Sequence, residues 1–225
     1  MLKYCFSIIA LSLFTLSIFA QTPKETLVED PAAKTVFEKV KKRYEAYKTL
    51  TVNFSLNIDI PEQPTIKQKG TLVQDGKKYK LDLTDQMLMS DGNDLWLFLK
   101  EKKEVQINDI DEGDDTVLSP IDLLNIYERD DFEYALVNEM KNSKGQIVQQ
   151  IELKPRNKGA DYSKIRIEIE KSKADILGMK AFFTDGVRYT VEVDEVIPNK
   201  SIPASTFVFN ASDYPGVKVE DLRLD

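Results

Sequence analysis

Carboxylates and lysines are the residues of this chain with chemistry to offer, because its 225 residues include no histidine and one cysteine, Cys5. Without histidine there is no Ser-His-Asp or Cys-His arrangement and no His-ligated zinc. A carboxylate pair, Ser-Lys chemistry or calcium held by oxygen ligands remain. The calcium option rests on DIDEGDD, residues 109–115. An EF-hand loop needs glycine sixth and glutamate twelfth, whereas counting from Asp109 puts Gly113 fifth and Pro120 twelfth. The run reads as a solvated acidic loop. The carboxylate option rests on pairs such as Glu168 and Glu170, which occupy the polar phase opposite Ile165, Ile167 and Ile169. That is the pattern of a solvent-facing sheet surface. No glycine-rich phosphate loop and no G-x-S-x-G is present. The sequence points away from an enzyme, from a metal and from any cofactor, and toward binding.

The first twenty residues, MLKYCFSIIALSLFTLSIFA, set the compartment. One early lysine, an apolar run and a small residue before QTPKE read as a secretory signal peptide cleaved after Ala20. The run is about as long as a short membrane span, but only Lys3 flanks it. Cleavage would remove Cys5, leaving residues 21–225 as one cysteine-free domain in which no disulfide can form. The full sequence has 31 basic and 38 acidic residues, a net charge of −7; loss of Lys3 makes the mature chain one unit more negative. That balance argues against nucleic acid and against docking to anionic membrane surfaces.

The elements that would position a binding site follow from periodicity. Asp30-Pro31 is an N-cap with proline at the first helical position. Over residues 34–48, Val36, Phe37, Val40, Tyr44 and Tyr47 share one face of an amphipathic helix. The period then becomes two. Over residues 52–60, Val52, Phe54, Leu56, Ile58 and Ile60 alternate with Asn53, Ser55, Asn57 and Asp59. Residues 66–74 turn at Asp75-Gly76 into 78–83, where Tyr79, Leu81 and Leu83 alternate with charges, a hairpin signal. Further strands are expected at 87–89, 95–100, 104–110, 132–138, 147–154, 163–170, 176–184, 187–196 and 206–209. Between them SPIDLLNIYE, residues 119–128, reads as a short capped helix with apolar residues nearly all round.

The expected fold is mainly β: one long antiparallel meander that curls into a half-open barrel, its concave face covered by the N-terminal helix and the short loop helix. Strands such as 52–60, 79–83 and 165–169 make one sheet face continuously apolar. That is what a sealed sandwich or barrel core requires. It is equally what a ligand cavity requires, since two helices are few lids for so much sheet. The strand LWLFLK at 95–100, with the only tryptophan, Trp96, raises the same question; Trp96 reads as packing.

Several stretches resemble the periplasmic outer-membrane lipoprotein carrier (LolA) family. MSDGNDLWLF at 89–98 is similar to its V-S-D-G-x-x-L-W-x-Y stretch, and FVFNASDYPGVKVEDLR at 207–223 to its closing run. Residues 39–54 resemble its first helix leading into F-x-A-x-F. SPIDLL resembles its loop helix, and LKPRNKGADYSKIRIEI its L-x-P-K hairpin. The order is the same over most of the mature chain. The resemblance implies a half-open barrel and a non-catalytic, monomeric carrier. Such a carrier takes lipoprotein acyl chains from an inner-membrane releasing transporter and shields them across the periplasm. It then delivers them to an outer-membrane acceptor. By position it implies cavity roles for Tyr79, Leu81, Leu83, Ile121 and Leu124; Phe54, Leu56 and Ile58 join them on strand phase. A regulatory sensor on the same half-barrel is the alternative. One departure stands out: where the family carries an Arg-Pro whose arginine is thought to latch the helices shut, this chain has QDGKKY. Lys77 or Lys78 could stand in, without arginine's planar fork.

Overall fold

The computed structural model describes residues 30–109 and 131–223. The expected signal peptide, most of the acidic run and the expected helix at 119–128, with Ile121 and Leu124, lie outside the described residues.

The described chain starts with helix α1 (Pro31–Glu45). Asp30 starts it in two ways at once. Its Oδ1 accepts the Ala32 N–H at 2.9 Å, filling the N-cap role. Its Oδ2 accepts the Leu136 N–H at 3.0 Å, and its own N–H donates to the Tyr134 carbonyl. One aspartate therefore both caps the helix and clips it to a strand about a hundred residues away in sequence.

Twelve strands follow: β1 (Thr49–Asp59), β2 (Ile66–Asp75), β3 (Lys78–Asp82), β4 (Gln86–Ser90), β5 (Asp94–Leu99), β6 (Glu104–Asp109), β7 (Phe132–Lys141), β8 (Ile147–Pro155), β9 (Tyr162–Glu170), β10 (Asp175–Phe183), β11 (Arg188–Pro198) and β12 (Lys218–Asp221). They make one unclosed sheet in the order β12-β6-β5-β4-β3-β2-β1-β11-β10-β9-β8-β7. This is two meanders joined where β1 pairs with β11, and not one continuous meander. The strand expected at 206–209 is instead a 3-10 turn, Ala204–Phe207, with Phe207 fully buried. The last strand, β12, was not anticipated. It pairs parallel to β6, and its four residues are all exposed, so no alternation marks it.

Register puts a continuous apolar lining on the inner face. Tyr134, Leu153 and Ile165 stand side by side on β7, β8 and β9. Val191 and Leu56 do so on β11 and β1. The lining continues through Leu72, Leu81, Leu88 and Leu97 on β2 to β5. Helix α1 covers one end of it. Ala33, Val36, Phe37, Val40 and Tyr44 pack with β7 to β9 in the largest core cluster, Phe37 edge-on to Tyr134 at 5.7 Å. Arg43 Nε, 2.6 Å from Asp175 Oδ1, ties the end of α1 to β10.

Strand β5 is apolar on both faces because each has something to cover. Leu97 faces inward beside Leu88, while Trp96 and Phe98 face outward into a second cluster with Met87, Met89 and Val105. The C-terminal segment lies across that cluster: Phe98 meets Tyr214 at 4.7 Å and Phe209 at 5.6 Å, and Phe209 stacks on Tyr214. Trp96 is packing, on the face away from the inner lining.

Glu170, expected on a solvent face, is buried. Burial by itself would raise its pKa. The Ser172 hydroxyl and the Lys173 and Ser172 backbone N–H groups outweigh that and hold it below the ordinary carboxylate value. Glu168 accepts from Gln150 Nε2 at 2.8 Å. Glu152 is also buried, and its Oε2 takes Arg166 Nη2 at 2.7 Å and Lys164 Nζ at 3.0 Å. Desolvation raises its pKa, but these two cations outweigh that and lower it.

Two outcomes are expected. Asp30→Ala lowers stability by about 1–2 kcal/mol, the cost of a lost N-cap, with a further loss from the freed Leu136 N–H; Asp30→Asn retains most of the cap. Urea unfolding measures both. Because the Glu152 pKa is depressed in the folded state, its stabilisation is complete above the ordinary glutamate value of 4.5 and is lost as pH falls below it. Glu152→Gln therefore flattens the acid limb of a pH–stability profile.

Candidate functional site

The inner face spans ten strands from β5 to β7, roughly 43 Å at the usual strand spacing, whereas a helix is only about 10–12 Å across. Helix α1 therefore cannot cover the whole lining, and only Tyr44 at its end reaches the middle. A cavity of about 320 Å³ lies there, between the end of α1 and strands β1, β2, β3, β10 and β11. Its wall takes Tyr44 from α1, Val52 and Phe54 from β1, and Leu72 from β2. Tyr79 and Leu81 of β3 continue it on one side, Met179 of β10 and Val191 of β11 on the other.

Among the described residues no charged side chain lines this cavity. Its polar groups are few and mostly engaged within the protein. The Tyr44 hydroxyl accepts the Ile176 N–H at 3.2 Å, and burial pushes its pKa up. Gln74 turns its amide away, Nε2 donating to the Gly76 carbonyl at 3.1 Å. Such a surface carries, among the described residues, only the Tyr44 and Tyr79 phenols as ionisable groups. It can exclude water from an apolar guest.

Two backbone features shape it. Gly70, paired with Phe54, has no side chain because the Phe54 ring occupies that space. A Cβ there would lie 2.3 Å from the ring and 2.8 Å from Leu83. On β11 the register shifts opposite Asn53 and Phe54. Strict alternation would place Glu195 on the same face as Val191 and Val193. The bulge instead turns Val196 inward, and Asp194 and Glu195 bond outside, to Ser55 Oγ at 2.9 Å and Asn53 Nδ2 at 3.1 Å.

Of the residues expected from sequence, Phe54, Tyr79 and Leu81 stand in the cavity wall. Leu56, Ile58 and Leu83 lie on the same inner face but form a separate packed cluster beside it, to which Phe54 also belongs. Lys77 and Lys78 are at the β2–β3 turn, near the turn at Asp91–Asp94. Gly92 lies against Lys77, and Lys78 adds a small lowering to the Asp91 pKa, against the opposing effect of desolvation and after the Asp91, Asn93 and Asp94 N–H groups. The wall residues of β10 and β11 are not among the residues expected from sequence. Val191 and Val193 carry the signal of alternation, but the bulge hides Val196 and the irregularity at Ile176 and Gly178 hides Met179.

Among the described residues no group of three or more His, Cys, Asp or Glu is placed to hold a metal ion, and no helix is long and apolar enough to cross a membrane.

Residues 45–210 match the family described as outer membrane lipoprotein carrier protein LolA. No curated protein matches the chain. An uncharacterized conserved protein from Thermus thermophilus superposes with a TM-score of 0.56 at 10% identity, over 86% of this chain and 99% of that one; this likeness shows the fold alone. Two further solved structures are more distant. A LolA superfamily protein from Nitrosomonas europaea gives a TM-score of 0.43 at 12% identity, over 79% of this chain and 97% of that one. A putative outer membrane lipoprotein-sorting protein domain from Vibrio parahaemolyticus gives 0.42 at 12%, over 78% and 97%.

If Gly70 is the space into which Phe54 folds, then Gly70→Val drives the ring into the cavity. The expected cost is about 1–3 kcal/mol of stability, typical of overpacking, and the cavity shrinks. Chemical unfolding and a crystal structure of the variant check it.

Proposed function

Since this chain belongs to the outer membrane lipoprotein carrier protein LolA family, we propose that it is a periplasmic carrier which holds lipoprotein acyl chains in the cavity between α1 and β1, β2, β3, β10 and β11. One observation carries this reading: a cavity of about 320 Å³ whose wall, among the described residues, has no charged group, sited on the stretch of apolar lining that α1 reaches only through Tyr44 at its end. The size is near the lower end for small-molecule sites, which run from about 300 to 1,000 Å³. Binding here is a change of solvent and involves no reaction. Each buried methylene contributes about 0.8 kcal/mol, so a 16-carbon tail gains on the order of 10 kcal/mol if fully covered. Partial cover keeps release possible.

On this reading the chain is exported, loses residues 1–20 after Ala20, and works as a non-enzymatic monomer. It receives its cargo from an inner-membrane releasing transporter and passes it to an outer-membrane acceptor. Phe54, Tyr79 and Leu81 touch the tail directly. Leu56, Ile58 and Leu83 are the reserve of lining beside the cavity into which a longer tail would extend.

A fluorescent fatty-acyl probe tests this on the mature protein. The wild type is expected to bind saturably, and Leu81→Lys or Val52→Lys to weaken binding at least tenfold while the circular dichroism spectrum is retained. Unchanged binding in folded variants would show that the tail goes elsewhere.

A further inference from the structure

The net charge of −7 conceals a local reversal on the outer face of β8 to β11. Phe182 of β10 lies half-buried at its centre, and four cations stand around its ring: Lys164 Nζ at 5.1 Å, Lys180 Nζ at 5.6 Å, and the Arg166 and Arg188 guanidinium carbons at 5.8 Å each. Register creates this crowding. Lys164 and Arg188 flank Phe182 on the neighbouring strands, and Lys180 stands directly opposite Arg166. Like charges facing each other across a strand pair destabilise a sheet, so the fold keeps an arrangement that works against it.

The counter-charge on this face is Glu152, with Glu168 and Glu192 one register pair farther along, both opposite Gly178. Glu152 is buried beneath and takes Lys164 and Arg166. Asp59 pairs in register with Arg188, but its Oδ1 accepts from Thr65 Oγ1 at 2.7 Å. Lys180 and Arg188 form no hydrogen bond or ion pair among the described residues, and Arg166 Nε is buried without a partner. Attraction to the aromatic face offsets part of the repulsion. The remainder is relieved when an anionic surface approaches.

We propose that this face docks the protein on an anionic phospholipid bilayer, with Phe182 entering the headgroup layer and Lys164, Arg166, Lys180 and Arg188 binding lipid phosphates. Cations that surround a half-exposed aromatic ring match a layer that is anionic at its surface and apolar just beneath. A sheet face also lacks the free N–H and C=O groups by which an extended acidic peptide would add as a strand. The acidic remainder of the chain is repelled by the same membrane, so only this face settles on it. The proposal goes beyond the carrier reading and is independent of it: β10 and β11 turn Met179 and Val191 to the cavity and Phe182 and Arg188 to the outside.

The test is co-sedimentation of the mature chain with vesicles of phosphatidylcholine alone or mixed with phosphatidylglycerol, at low and physiological salt. Binding is expected to the mixed vesicles only, and to weaken with salt. The double variant Lys180→Glu/Arg188→Glu is expected to lose at least tenfold in binding, and Phe182→Ala to lose less. Acyl-probe binding should be unchanged in both, which shows that the fold survives. Equal binding to both vesicle types, or an undiminished double variant, overturns the proposal. So does binding of soluble polyglutamate without binding of vesicles, which would mark the face as a site for an acidic protein. Failure of the wild type to bind the acyl probe would defeat the carrier reading and leave this one standing.

Discussion

The interaction on which this structure depends is the packing of one amphipathic helix onto a sheet face wider than the helix can cover. Helix α1 buries Val36, Phe37, Val40 and Tyr44 against β7 to β9 and seals that end of the inner face. The C-terminal segment does a comparable job on the opposite face at the other end, over Trp96 and Phe98. Only Tyr44, at the end of α1, reaches the middle of the lining. Burial of apolar surface is the main force that folds the chain, and here, among the described residues, it leaves a cavity in a continuous apolar lining.

Keeping so long a face apolar is difficult in twisted strands, because a single register slip exchanges the two faces. The chain corrects its phase where slips occur. The bulge opposite Asn53 and Phe54 keeps Asp194 and Glu195 outside and restores Val196 to the wall. Glycine serves where backbone or ring approaches closely. Gly70 makes room for the Phe54 ring, and a Cβ on Gly178 would lie 2.6 Å from the Val191 carbonyl oxygen. The same strands carry opposite properties on their two faces. Met179 and Val191 line a cavity without charge, while behind them Lys180 and Arg188 crowd around Phe182.

Much of this architecture was legible in the sequence. Asp30-Pro31 and the periodicity of Val36, Phe37, Val40 and Tyr44 gave α1, because capping and amphipathicity are local properties. Tyr79, Leu81 and Phe54 were legible as inward-facing because β1 and β3 alternate cleanly. The pairing of β1 with β11 was not, since it joins residues far apart in sequence and no local pattern marks it. Val196 and Met179 were hidden by bulges that break the period of two. Residues 206–209 have the alternation of a strand, yet Phe207 is buried from a 3-10 turn, where tertiary packing overrides the local pattern. Glu170 had the phase of a solvent-facing residue. It is buried because the turn after β9 supplies donors from its hydroxyl and backbone N–H groups.

The central claim is that a fatty tail lodges on the inner face. Photolabelling with a diazirine-bearing fatty acid, followed by peptide mapping, tests this most directly. Saturable labels on β1, β2, β3, β10 and β11, at residues such as Val52, Leu81 and Val191, are expected. Labels confined to the outer face, or labelling that does not saturate, would contradict it.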